Sequence, residues 1–211
     1  MPEWSTLILF AAAVVVLVYT PGPNTLYIVA RSVQQGRRAG ILSSLGVEVG
    51  TLAHITAAAL GLSALLMSSA LAFSVVKYAG AAYLIYLGVK TLLTREKLVK
   101  TESVEETGMF RTFSQAVVLN VLNPKTAMFF LAFLPQFIDP KRGAVVTQVF
   151  ILGAIVVVIG FTSGSFYSLL SGSLGNLLRN NLKFFRAQRY FAGSVYIGLG
   201  LTTALTGTGK K

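Results

Sequence analysis

Hydrophobic positions in this chain fall in long runs, not in the narrow stripes of a soluble amphipathic helix. Six runs come near or exceed the ~20 residues that a helix needs to cross a bilayer. They cover about 4–31, 40–66, 71–93, 113–138, 144–170 and 189–205. From Gly143 to Leu178 there is no charged residue at all. The longest hydrophilic stretch, Thr94 to Arg111, mixes Lys, Arg and Glu between the third and fourth runs. The pattern predicts an all-α membrane protein with six transmembrane helices in a single domain over 1–211. The first and fourth spans are interrupted, at Thr20-Pro21-Gly22-Pro23-Asn24 and at Asn123-Pro124-Lys125. Met-Pro-Glu-Trp at the start carries no basic region, so the first run reads as a helix and not as a removable signal.

The two halves echo each other. At an offset of 103, Pro21 meets Pro124, Gly40 meets Gly143, Gly50 meets Gly153 and Gly61 meets Gly164. At an offset of 113, Ala79-Gly80 meets Ala192-Gly193 and Tyr83 meets Tyr196. Two units follow, about 1–93 and 113–211, joined by a loop at about 94–112. Three crossings per unit is an odd number, so the units insert with opposite orientation. Inverted repeats with helices broken at matching places point to a secondary transporter.

Composition narrows the class. Hydrophobic residues make up 54% and charged ones 12%, about half the charged share of a soluble domain. The net charge of +11 would suggest nucleic acid in a soluble protein, but these basic residues cluster at the ends of apolar runs. Anionic headgroups and the positive-inside rule account for them there. Twelve Lys and Arg lie in the loops after the odd spans and five on the other side. Both termini are therefore expected outside, with the odd loops in the cytoplasm. Leu174, Leu177, Leu178, Leu182 and Phe185 keep helical spacing beside a stripe of Arg179, Lys183 and Arg186, which predicts a short amphipathic helix on the inner leaflet. With no cysteine, one histidine and seven acids, neither a metal site nor a cofactor is expected.

The breaks carry the candidate chemistry. Proline lacks an N–H and clashes with the carbonyl four residues earlier. Pro21 and Pro23 thus release the carbonyls of Leu17 and Tyr19, and Pro124 releases that of Asn120. In hydrocarbon such groups need protein or a water-filled cavity. Thr20 before Pro21 and Asn123 before Pro124 are cap-type residues ahead of a proline, the way a helix begins. A helix start attracts a carboxylate, and a released carbonyl attracts an ammonium. Thr20, Pro21, Gly22, Pro23, Asn24, Asn120, Asn123, Pro124 and Lys125 are the candidate binding residues.

Ionisable residues inside spans are costly and call for a function or a route to the interface. Lys125 is one, and Glu48 lies about 12 Å into the second span at helical rise. Glu48 could pair with Lys125, carry a proton or reach the interface. Gly46, Gly50, His54, Ala57 and Gly61 share one face of that helix, opposite Glu48, suited to close helix approach. His54 is either a hydrogen-bonded packing residue or a proton relay. Glu48 and His54 are the coupling candidates.

Taken together, Thr-Pro-Gly-Pro-Asn at 20–24, Gly46 and Gly50 with His54 and Gly61, the run from Lys77 to Leu84, Asn123-Pro124-Lys125 and Phe133-Leu134-Pro135-Gln136-Phe137 resemble the LysE/RhtB family of amino-acid exporters. The resemblance runs in order over nearly the whole chain. It implies a bacterial inner-membrane carrier exporting amino acids or derivatives, driven by proton or ion gradients. Expected partners are the small-molecule substrate, protons or ions and the lipid bilayer, with no nucleic acid, and a homo-oligomer is compatible with the pattern. Glu48 is not part of the family pattern. Two other classes compete. A divalent-cation exporter wants two or more facing intramembrane acids, and a membrane enzyme wants an embedded nucleophile–base pair.

Overall fold

The computed structural model describes residues 2–19, 22–93 and 108–179, together with nine single positions from Arg186 to Ala204. All the regular structure among them is helical. Helix α1 (Trp4–Tyr19) is followed by α2 (Pro23–Gln35), α3 (Arg37–Ser68) and α4 (Ala70–Leu93). After the 94–107 segment come α5 (Met109–Val121), α6 (Pro124–Met128) and α7 (Val145–Arg179). A π-helical turn (Phe129–Phe133) and two 3-10 turns (Leu134–Phe137 and Pro140–Arg142) join α6 to α7. The order of helix, break, helix and long helix therefore occurs twice.

Helix α3 has 32 residues and α7 has 35. At 1.5 Å per residue they are about 48 and 52 Å long, more than the ~30 Å hydrocarbon layer. Arg37–Ala64 and Val145–Ser171 are apolar enough to cross a membrane. The two expected interruptions are present as bends between helix pairs: α1 meets α2 at 55°, and α5 meets Pro124–Phe137 at 45°. By length and composition the described residues thus hold two to four spans, while α4 contributes a shorter apolar stretch, Tyr78–Leu93. The sixth run, 189–205, falls mostly outside the described residues. Its described positions pack on α4 through small residues: a Cβ on Gly88 would fall 2.6 Å from Ile197, and one on Gly193 would fall 2.6 Å from Leu92.

One element differs from expectation. Leu174, Leu177 and Leu178 do not start a separate interfacial helix, because α7 continues unbroken to Arg179. No proline interrupts this stretch, so nothing stops the helical ladder. Leu182, Lys183 and Phe185 lie outside the described residues.

Helices α3 and α7 form the spine. Glycines on each let a partner approach: a Cβ on Gly153 would fall 2.7 Å from Ile55, and one on Gly50 would fall 2.8 Å from Asn120. Gly46 and Gly50 thus face α5, as the small-residue stripe predicts, whereas Gly61 faces open space. At one end of the bundle, Phe10 of α1 sits within 6.0 Å of the rings of Phe129, Phe133 and Phe137. Large apolar side chains such as Ile8, Leu60, Leu122 and Val158 point outward, which suits a lipid-facing surface.

Candidate functional site

The second break forms as its sequence dictates. Asn123 takes the N-cap position of α6, its Oδ1 accepting the Lys125 amide at 3.0 Å, and Pro124 occupies the first turn. The first break differs in detail. Helix α2 restarts at Pro23 with Gly22 as its cap residue, extended at φ −153°, and no side chain caps it. The expected start at Thr20-Pro21 is thus displaced by two residues, since Pro23 is itself a favoured first-turn residue. Thr20 and Pro21 lie outside the described residues.

All three released carbonyls find donors. Lys125 Nζ donates to the Leu17 carbonyl at 2.9 Å. The Tyr167 hydroxyl of α7 donates to the Tyr19 carbonyl at 3.1 Å. The Asn120 carbonyl accepts the Asn123 amide at 3.0 Å and lies 3.0 Å from His54 Nε2. His54 also stacks on Phe130 at 5.9 Å, so it is held by packing on the α5 side.

Three asparagines lock the breaks together. Asn24 Nδ2 donates to Asn120 Oδ1 at 2.8 Å, and Asn123 Nδ2 donates to Asn24 Oδ1 at 3.0 Å. Asn120 is fully buried; its Nδ2 donates to the Val47 carbonyl at 2.6 Å and to Thr51 Oγ1 at 2.9 Å. Thr126 Oγ1 donates to the same Asn120 Oδ1 at 2.8 Å. Every polar atom of the Asn120 side chain is therefore engaged by protein.

Between the breaks lies a cavity of about 90 Å³. Its polar wall includes Asn24, Glu48, Thr51, Lys125, Thr126 and Tyr167, and its apolar wall includes Val18, Ile28, Val47, Phe129, Phe130 and Val156. Gly22 lines it too, its Cα flanked by the Lys125 stem; a Cβ there would fall 3.4 Å from Nζ. Glu48 is only 8% exposed, and its Oε2 has no hydrogen-bond partner. The Glu48–Lys125 ion pair considered from sequence is not formed. Glu48 instead rests against Gly160 of α7, where a Cβ would overlap its Oε1.

Sequence reasoning missed Tyr167, Thr51, Thr126 and Gly160. Thr51 lies one helical turn from Glu48, a spacing that could have revealed it. Nothing local marks Tyr167 or Gly160, whose partners are over a hundred residues away. Arg31 also departs from the simple loop assignment. It is 2% exposed, donates to Gln115 Oε1 at 2.7 Å and lies 5.2 Å from the centre of the Tyr27 ring. Among the described residues, no group of three or more His, Asp or Glu side chains is placed to hold a metal ion.

A helical bundle with two bent helix pairs around a cavity of mixed polar and apolar lining fits a membrane carrier. The chain belongs to the LysE family: the model for the LysE type translocator matches residues 15–207. An uncharacterized membrane protein of Vibrio cholerae is 33% identical over 190 residues, 90% of this chain and 92% of the relative. A leucine efflux protein of Salmonella typhimurium is 30% identical over 198 residues, 92% of each chain. An uncharacterized membrane protein of Pseudomonas aeruginosa is 29% identical over 200 residues, 92% of this chain and 93% of the relative. No solved structure matches the chain. The family and the efflux relatives make this protein a transporter and not an enzyme.

Proposed function

We propose that this protein is a secondary-active exporter that carries an amino acid outward across the bacterial inner membrane by alternating access. The observation that carries the reading is the cavity where the two breaks meet, with a lysine ammonium and the start of α2 on its wall. Two inverted three-helix units rocking about this cavity would expose it to each side in turn. Both termini lie outside in this account. A carboxylate sits between Lys125 and the Gly22–Asn24 start of α2, where ammonium charge and helix dipole act together. Asn120, behind the cavity, and Asn123, on its wall, fix the two breaks relative to each other through Asn24. Glu48 and His54 remain the candidates for coupling to protons or ions.

The name of the Salmonella relatives favours an aliphatic amino acid, and the apolar cavity wall is compatible with that. The test is overexpression in cells challenged with a panel of amino acids and toxic analogues. Export predicts protection and a smaller internal pool for at least one of them. Protection against divalent cations alone would favour the cation exporter instead.

A further inference from the structure

The freed carbonyls were the natural receptors for a substrate ammonium, but each is already taken: Leu17 by Lys125, Tyr19 by Tyr167, and Asn120 by His54 and the Asn123 amide. The side-chain acceptors at the breaks are taken as well. Asn24 Oδ1 receives Asn123, Asn120 Oδ1 receives Asn24 and Thr126, and Asn123 Oδ1 receives the Lys125 amide. Of the described residues lining the cavity, Glu48 alone has a buried side-chain atom, Oε2, without a hydrogen-bond partner. An unpartnered buried carboxylate oxygen is costly, and an arriving cation removes that cost.

We propose that Glu48 is the receptor for the α-ammonium group of a zwitterionic amino acid, opposite Lys125, which takes its carboxylate. The inference rests on the export reading and gives its site a polarity. Glu48 and Lys125 line the same cavity yet do not neutralise each other, because Lys125 is turned to Leu17 and Glu48 is seated on Gly160. A carboxyl group and an amine that line one cavity without pairing complement a molecule carrying an ammonium and a carboxylate on one carbon. Val18, Ile28, Val47 and Phe130 then meet the remaining side chain. The other ionisable group on this wall is Tyr167, which α7 directs to the Tyr19 carbonyl; Thr51 adds a hydroxyl beside Glu48. His54 lies on the other face of α3, against Asn120 and Phe130.

The experiment measures binding to purified wild type, Glu48→Gln and Lys125→Met with three probes. These are L-leucine, 3-methylbutylamine, which lacks the carboxylate, and 2-hydroxy-4-methylpentanoate, which lacks the ammonium. Wild type should bind leucine at least tenfold more tightly than the hydroxy acid. In Glu48→Gln that preference should fall to within about twofold, with the amine also lost, since the charge-assisted hydrogen bond to the ammonium is gone. In Lys125→Met the preference for leucine over the amine should collapse instead. Should Glu48→Gln fail to fold, Gly160→Ala displaces the same carboxylate and should show the same selective loss. Undiminished leucine preference in either variant overturns the assignment of Glu48 and leaves export standing. An equal loss of leucine and hydroxy acid also overturns it, making Glu48 structural. A wild type that binds no amino acid overturns both readings.

Discussion

The ammonium of Lys125 donates at 2.9 Å to the carbonyl of Leu17, the group that Pro21 leaves without a helical amide. One break thus satisfies the other. The lysine belongs to the start of α6 and the carbonyl to the end of α1, so the contact ties the two interrupted spans together. In the proposed transport cycle, exchanging it for a substrate contact would release that tie.

Tyr167 closes the second released carbonyl, that of Tyr19. Tyr167→Phe keeps the ring and removes only the donor. It should lower the stability of the purified protein by about 1 kcal/mol, the scale of one such bond, read as a lower unfolding temperature in detergent. An unchanged unfolding temperature would mean that the bond contributes nothing.

Asn120 sits at the centre of the asparagine lock with Val47, Thr51, Asn24 and Thr126 around it. Asn120→Ala strands several buried partners and should cost about 2 kcal/mol or more. A double-mutant cycle of Asn24→Ala and Asn123→Ala should give a coupling of about 0.5–1 kcal/mol through their direct bond. Strict additivity would show that the bond is not maintained.

The glycines divide sharply. A Cβ on Gly80 would collide with the backbone of Ala132 in the π-helical turn, whereas one on Gly61 meets nothing within 4 Å. Gly61→Ala should be neutral or stabilising by about 0.5–1 kcal/mol through helix propensity. Gly80→Ala should destabilise, because backbone must move. Thermal unfolding of the pair decides, and the reverse order would contradict the packing described for α4.

The proposed orientation rests on the Lys and Arg counts. Single cysteines replacing Ser103 and Ser173 should resist an impermeant thiol reagent in intact cells and react after permeabilisation. The absence of native cysteine makes the readout clean. Strong labelling of either in intact cells would reverse the assigned topology.

Much of this architecture is legible in the sequence, and the reason differs by element. The apolar runs at α3 and α7 announce themselves, because a membrane span needs little beyond length and composition. The breaks are equally readable, since the missing amide of Pro23 or Pro124 is a local covalent fact. The Asn123 cap is local as well. The donors that complete the breaks are not local. Tyr167 reaches Tyr19, Glu48 settles on Gly160, and Lys125 finds Leu17 only once α1, α3, α6 and α7 are assembled. Arg31 teaches the same lesson. Charge counting assigns it to a loop, yet it is buried, with its guanidinium donating to Gln115.

The central claim is that an amino acid passes through the cavity between the two breaks. The direct measurement is uptake of labelled L-leucine and a panel of other amino acids into inverted inner-membrane vesicles, where export appears as accumulation. Wild type should accumulate at least one amino acid, whereas Lys125→Met and Pro124→Ala should fall to background while inserting at normal levels. Transport by both variants at the wild-type rate would place the route elsewhere and contradict the account.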